Sequence, residues 1–336
     1  PITYPQACKM MTAMTGYKAY ADMDKIMSEY VLVAKKAGFG INPASNDRIT
    51  LAEAVRLIYN AMRTDLMSIV SASGESYTAE PQKGENIFSV YHKIKFSDGR
   101  VQSVSGKTIN GIRAESGETY IAGEKYNIAS DVKMDEFFGR YINFSYLDEK
   151  DSQNTKTVIY ADARYKRDVT KILYDDISGY NEDTRTISYY DGSDKGNIKT
   201  KTADSKAVIV FNGQPYDKGI KSEIDRLIDG TRKGDVTFIS SGGNSVCDVI
   251  SVTSYEIFGA DAYTPADKKF YSSNKTNTVC IDDYRNCYAF DTSGITVDIK
   301  NISVGPFMLA CSENKEILTI VVCNKKAEGA LSETNP

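Results

Sequence analysis

His92 is the only histidine in this chain of 336 residues. Flanked by Tyr91 and Lys93 in a stretch read as strand, it would have to anchor any Ser-His-Asp or Cys-His relay alone, so catalysis at His92 is not expected. Six cysteines are spread along the chain without a C-x-x-C or H-x-x-x-H spacing, which leaves no metal site to assign. Cys8, on the apolar face or flank of a predicted helix, and Cys247, in a predicted strand, read as buried free thiols. Cys280 and Cys287 flank IDDYRN, and Cys311 and Cys323 sit on the two arms of a predicted hairpin. A bridge within either pair stays open where the Cβ atoms approach to about 3.8 Å.

Paired carboxylates can hold calcium or catalyse glycoside hydrolysis. Asp175 with Asp176, Asp191 with Asp194, and Asp282 with Asp283 lack the spaced D-x-[DN]-x-[DN]-G series with its late Glu, so they read as solvated turn residues. No pair can be given the defined separation that glycoside hydrolysis needs. The glycine-rich phosphate loops are absent, and SSGGNS at Ser240 reads as a hairpin tip. The expectation is therefore no catalytic residue, no metal and no cofactor.

What the spacing does show is a repeated helix start. ITYPQACKMMTAM begins at Ile2, and ITLAEAVRLIYNAM repeats the pattern from Ile49. Thr3 with Gln6, and Thr50 with Glu53, form capping boxes in which hydroxyl and N3 side chain satisfy orphan backbone donors. Behind them, Ala7, Met10, Met11 and Met14 in one copy, and Leu51, Ala54, Val55, Ile58, Ala61 and Met62 in the other, predict one apolar face each. SEYVLVAKKAGFG predicts a helix closed at Gly38 or Gly40, and NPASND a loop. The unit is helix, helix, loop, helix.

This pattern resembles the S-layer homology domains of bacterial cell-surface proteins, especially clostridial ones. The likeness rests on the ITxAEA motif followed by LIYNAMRTDLM, on YADM at Tyr20, and on AKKAGFGINP, and spans about the first seventy residues. It implies a helical anchoring module whose partner is a secondary cell-wall polysaccharide, or neighbouring copies of the same chain, outside the cell. Where that family has an Arg in its Ile-Thr-Arg-Ala-Glu motif, this chain has Leu51 in one copy and Tyr4 in the other. Only Thr50 and Glu53 carry over as carbohydrate-binding candidates. Because Pro1 opens the chain inside a repeat series, earlier repeats are expected upstream.

With 41 Lys and Arg against 45 Asp and Glu, a net charge of -4, and no basic run, nucleic acid is not an expected partner. No apolar stretch approaches the ~20 residues of a membrane-spanning helix. Twenty-three Tyr and no Trp, among short Val, Ile, Thr and Ser runs, predict a β-rich remainder. Hairpins are expected around Asp98–Gly99, across the polar loop of YINFSYLDEKDSQNTKTVIYAD, at TRTISYYDG, and at the Asn212–Gly213 turn. SEIDRLIDG, Ser222 to Gly230, predicts a short helix. GDVTFISSGGNSVCDVISV from Gly234 aligns without gaps on GPFMLACSENKEILTIVVC from Gly305, a strand, turn, strand unit used twice, with GRYINFSYLDEKDSQNTKTVIYA as a third, divergent version.

The fold expected is multi-domain α+β: a partial helical module at 1-70, then antiparallel β-rich modules at 71-170, 171-258 (with the short helix) and 259-336. The function expected is a non-enzymatic surface-layer structural protein within a larger assembly. The rival readings are a structural protein of a phage particle, placed in a virion, and a non-catalytic fragment of a secreted glycan-processing enzyme.

Overall fold

In the computed structural model of the chain, the structure describes residues 2–21, 26–73, 76–149, 156–166, 169–191, 196–242, 246–272, 277–292, 295–302, 304–312 and 315–323. Strand outweighs helix, 46% to 22%, which makes the chain a β-rich member of the α+β class. Contacts divide it into two compact units, Pro1–Phe96 with Ser145–Thr155, and Ser97–Phe144 with Lys156–Pro336.

The first unit opens with the two expected capping boxes. At α1 (Tyr4–Met14) the Thr3 hydroxyl accepts from the Gln6 N–H, and Gln6 Oε1 accepts from the Thr3 N–H at 3.0 Å. A short α2 (Lys18–Ala21) and α3 (Met27–Lys36) follow. Gly38, at φ 88°, stops α3 as read from the sequence, and the Phe39 and Gly40 N–H groups both donate to Ala34 O. The loop then leads to α4 (Leu51–Arg63). The two repeat starts lie side by side: the Ile49 N–H donates to Ile2 O at 3.3 Å, and the Tyr4 N–H to Asn46 O at 2.9 Å.

Their apolar faces differ from the sequence reading. Ala7, Cys8 and Met11 of α1 are buried with Tyr30 and Ala34 of α3 and with Leu57 and Ala61 of α4, but Met10 and Met14 are exposed. On α4 the stripe Leu51, Val55 and Ile58 faces solvent. The apolar arc of α4 is wider than one neighbouring helix covers, and α1 takes only the edge that holds Leu57 and Ala61. The unit continues into a hairpin of strands Met67–Ser73 and Ser76–Pro81 and a one-turn α5 (Ile87–Tyr91).

A six-stranded sheet runs in the order Lys107–Thr108, Ile94–Val104, Glu118–Ile121, Glu124–Ile128, Lys156–Ala163, Tyr141–Asp148. A branched twelve-stranded sheet centres on the eighteen-residue strand Cys247–Thr264. Its first half pairs with Ile198–Phe211 and Lys233–Ile239, and its second half with Gly305–Cys311 and Lys269–Ser272. Two cores result. One gathers Ile224 and Leu227 of α6 (Lys221–Ile228) against Val236, Phe238, Ile250 and Val252, and the other Phe258, Phe270, Phe307, Leu318 and Ile320.

The predicted helix near Ser222 and both copies of the strand, turn, strand unit are present; Lys233–Ile239 pairs antiparallel with the long strand, and Gly305–Cys311 with Ile317–Val322. Purely antiparallel modules are not. Ile198–Phe211 runs parallel to Cys247–Thr264, Asn286–Asp291 to Ile317–Val322, and Glu124–Ile128 to Lys156–Ala163. In each case a whole strand, or a helix and a strand, lies between the partners in sequence, which is the long crossover a parallel pair requires. The hairpin expected around Asp98–Gly99 is also absent, because Ile94–Val104 passes straight through both residues.

The Asn212–Gly213 turn is present, with φ of 44° and 85°, the two positive values of a type I′ hairpin turn. Asn212 is buried, receives the Ser254 N–H on Oδ1 at 2.8 Å, and donates from Nδ2 to Cys311 O at 2.9 Å. Gly213 O accepts from the Thr108 N–H at 2.9 Å, and a Cβ at Gly213 would lie 2.0 Å from Gly106 O.

Two substitutions test these constraints. Asn212→Ala loses both side-chain bonds and strains a positive φ, and should lower unfolding free energy by about 2–4 kcal/mol in urea titrations. Gly16, at φ 83°, sits where a Cβ would be 2.6 Å from Met67 O, beside the bond from the Met67 N–H to Thr15 O. Gly16→Ala should cost about 1–3 kcal/mol and raise hydrogen exchange at the Met67 amide.

Candidate ligand groove of the helical unit

Thr50 and Glu53 are held in the cap that they form. Glu53 Oε2 accepts from the Thr50 N–H at 2.8 Å and from the Thr50 hydroxyl at 2.9 Å, while Oε1 accepts from the Ala44 N–H at 2.7 Å. The Thr50 hydroxyl oxygen takes the Glu53 N–H at 3.2 Å. Backbone N–H donors at Thr50 and Ala44 hold the Glu53 carboxyl below its ordinary range.

The two residues at the place of the family's Arg have opposite fates. Leu51 is 82% exposed, whereas Tyr4 is 1% exposed and joins the core. The Tyr4 hydroxyl donates to Ile41 O at 2.7 Å and accepts from the Ile41 N–H at 2.9 Å, and burial pushes it up to about 12. It ties the loop after α3 to the first turn of α1.

A cavity of about 600 Å³ opens elsewhere in this unit. Tyr17 and Tyr20 follow α1, Glu29, Leu32, Val33 and Lys36 come from α3, Arg63 and Asp65 from the end of α4, and Met67 and Pro81 from the hairpin. Each polar member except Lys36 and Glu29 has a partner. The Tyr20 hydroxyl donates to Ala79 O at 2.6 Å, and Asp65 Oδ1 accepts from the Gly84 N–H at 3.0 Å. Arg63 lies over the Phe96 ring at 4.4 Å and donates to the Tyr59 hydroxyl at 3.2 Å. Tyr17 packs edge-on against Phe39, and burial, with the Asp65 carboxylate beside it, raises its hydroxyl. Lys36 is exposed and forms no ion pair among the described residues.

Glu29 differs from the rest. It lies in the first turn of α3, where the helix dipole favours a carboxylate, yet its Oε2 is buried without a hydrogen-bond partner. The groove combines the exposed ring of Tyr20 with one unengaged cation at its rim, while Glu29 Oε2 has no surface open to it. Its chemistry is recognition by stacking and hydrogen bonding, and its volume lies in the range of small-ligand sites.

The groove does not include Thr50 or Glu53. Tyr20 and Arg63 stand inside the segments that carry the family resemblance, and Glu29 on the helix between two of them, but no local spacing marks the three, because loop, helix and hairpin converge only in the fold. Of YADM, Tyr20 and Ala21 are placed, and Asp22 and Met23 lie outside the described residues.

The other chemically capable residues are dispersed. His92, expected in a strand, caps the end of α5 and is exposed, with its ring 6.5 Å from that of Phe88. The preceding Asn86 opens a capping box with Ser89, which commits the segment to a helical turn. Asp282 pairs with Lys268 at 2.9 Å, Asp283 with Lys315 at 3.4 Å, and Asp191 with Lys199. Asp175 and Asp176 lie in a short 3₁₀ turn, and Asp194 lies outside the described residues.

All six cysteines are free thiols, with Cys8 and Cys247 buried as read. Cys311 cannot reach Cys323: it faces Leu318 in the ladder, while Cys323 reaches Pro306 at the hairpin's other end, roughly 17 Å along the strand. Cys280 and Cys287 lie on the separate strands Thr278–Cys280 and Asn286–Asp291, which do not pair with each other. In the second unit, a cavity of about 750 Å³ is walled by Ile281, Tyr288, Ala289, Val297 and Ile299. Its thiol, Cys287, is pushed up to about 12 by burial and stays protonated at neutral pH, too weak a nucleophile for covalent chemistry.

No family model matches the chain, and no curated protein matches it. No helix among the described residues is long and apolar enough to cross a membrane.

The Glu53 cap makes a signed prediction. Because its folded-state pKa is lowered, its contribution is complete above the unfolded-state value and is lost as pH falls through the lowered folded-state value. Acid titration followed by helical circular dichroism should show α4 loosening below pH 4.5, the ordinary value for this carboxyl, and Glu53→Gln should flatten that part of the curve.

Proposed function

We propose that this chain is a non-enzymatic surface protein whose helical unit engages a surface glycan and whose β-rich part serves as a spacer or assembly element outside the cell. The observation that carries this reading is the groove: two tyrosines, a rim lysine and the carboxylate residues Glu29 and Asp65 line one cavity in the unit that carries the family resemblance. Aromatic faces stack on sugar rings, and polar side chains around them read hydroxyls and substituents. The glycan is a secondary cell-wall polysaccharide, and the exposed stripe Leu51, Val55 and Ile58 offers a face to neighbouring subunits of the layer.

The recurrence of one strand, turn, strand unit supports the spacer role, since repeating a unit extends a surface without adding a reacting group. The dispersal of the chemically capable residues, with Asp191, Asp282 and Asp283 committed to ion pairs, supports a non-catalytic role.

Co-sedimentation of the purified chain with clostridial cell-wall sacculi, before and after hydrofluoric acid removes the wall polysaccharide, tests the reading. The chain should pellet with native sacculi and stay in solution with stripped ones. Failure to pellet in both cases would overturn wall anchoring and move the virion reading ahead.

A further inference from the structure

We infer that the 750 Å³ cavity of the second unit is a slot for an extended peptide segment of a partner protein, acidic with alternating apolar residues, which adds as a strand to the open edge of Asn286–Asp291. The site lies apart from the glycan groove, and the inference does not depend on that reading.

Asn286–Asp291 ends the twelve-stranded sheet, with Ile317–Val322 as its one neighbouring strand among the described residues. The Asn286 N–H donates to Glu316 O at 3.0 Å, so in this parallel ladder the main-chain groups of Asn286, Tyr288 and Phe290 point to that neighbour, and those of Cys287, Ala289 and Asp291 point away from it. One end of the outer edge is closed. Phe290 bridges Thr296, the Val297 N–H donates to Ala289 O at 2.8 Å, and the Asp291 N–H donates to Ile295 O at 2.9 Å.

Continued in that antiparallel register, the closing segment would set Asp298 beside Tyr288 and Ile299 beside Cys287. It turns away instead, because Asp298 Oδ1 accepts from the Lys300 N–H at 3.0 Å and starts the 3₁₀ turn Ile299–Asn301. The cavity fills the fork, with Cys287, Tyr288 and Ala289 on one wall and Val297, Asp298 and Ile299 on the other. Cys287 is half-buried, and its N–H and C=O, with the Ala289 N–H, are left on the open edge without a main-chain partner among the described residues.

An unpaired strand edge is a template for another strand: main-chain bonds hold the added segment, and pockets take its alternate side chains. Ile281, Val297 and Ile299 supply an apolar pocket. Charge selects among such segments. Lys268 is paired with Asp282 at 2.9 Å, but Arg285, with 75% of its side chain exposed, stands 4.0 Å from Glu316, a carboxylate already bound by Arg113. Lys300 is exposed and forms no ion pair among the described residues. Of the two lining carboxylates, Asp298 is engaged in its cap and Glu115 acts on Arg113. The charge free at the mouth is therefore positive and complements an acidic segment.

The test uses the full chain and three fluorescein-labelled peptides: acetyl-EVTVTE-amide, its KVTVTK counterpart, and a fully N-methylated EVTVTE that can donate no main-chain bond. In the free chain the Cys287 and Ala289 amides should exchange faster than those of Tyr288 and Phe290. EVTVTE should bind saturably and slow exchange at Cys287 and Ala289 by about tenfold. KVTVTK should bind about fivefold more weakly, Lys300→Glu should weaken EVTVTE by a similar factor, and the N-methylated peptide should not bind. Cys287→Pro should abolish binding while the melting temperature holds, since proline is tolerated where an edge N–H points outward. If that variant does not fold, Lys300→Glu and the N-methylated peptide carry the test.

No binding of EVTVTE, or binding without added protection at Cys287, would overturn the inference. Equal binding of the N-methylated peptide would overturn it in favour of a cavity for small apolar molecules. A dimer of the chain alone that Cys287→Pro dissociates would overturn it in favour of a second copy.

Discussion

One buried amide holds the second unit in register. Asn212 stands in the tight turn after Ile198–Phe211, and its side chain reaches two other strands, taking the Ser254 N–H and giving to Cys311 O. The next residue accepts the Thr108 N–H, which brings in the six-stranded sheet. A left-handed pair of residues is needed to turn the chain there, and a short side chain with both donor and acceptor is needed to satisfy what the turn leaves open. Gly213 is required for a third reason, since the Gly106 carbonyl occupies the space where a Cβ would go. Local geometry, hydrogen-bond satisfaction and close approach thus converge on one dipeptide. The long strand Cys247–Thr264 has a continuous buried run from Val249 to Ser254, which fits a segment covered on both faces at the point where these elements meet.

The first unit depends on a different constraint, the pairing of two equivalent helix starts. Bonds from Ile49 to Ile2 and from Tyr4 to Asn46 set the two capped termini side by side, so α1 and α4 leave a common origin. That arrangement makes the two copies inequivalent in use. Tyr4 turns inward to hold Ile41, while Leu51, at the matching place, meets solvent. Repetition gives two helices with the same start, but a single core has room for only one of the two matching side chains. The far ends of those helices, with α3 and the hairpin, are free to frame a groove, and Gly16 lets Met67 approach closely enough to close one side of it.

Much of this was legible from residue type and spacing. Both capping boxes, the Gly38 stop, the Asn212–Gly213 turn, the helix near Ser222 and the duplicated strand units all rest on interactions within a few residues of one another, and they are present. What was not legible depends on partners far away in sequence. The parallel ladders follow from which strands find each other after long crossovers, and nothing in Ile198–Phe211 alone distinguishes a parallel from an antiparallel neighbour. Asp98–Gly99 has the composition of a turn, but the flanking ladders hold it extended as part of Ile94–Val104. Met10 and Val55 have the periodicity of a core, and they are exposed because a helix presents more apolar arc than one neighbour covers. The groove is the extreme case. Tyr17, Glu29 and Arg63 belong to three segments whose convergence no pattern within any one of them encodes.

Glu29 bears on how such a groove can persist. Its carboxylate gains from the start of α3, where unpaired N–H groups place positive charge, and it loses from the burial of an oxygen with no donor. A helix of ten residues would not hold that conflict by propensity alone. It is held because Tyr30 and Ala34, on the opposite side of the same turns, are fixed in the core against α1, and because the Gly38 stop with its bonds to Ala34 O locks the other end. The packing face of α3 therefore stabilises an arrangement that its groove face opposes.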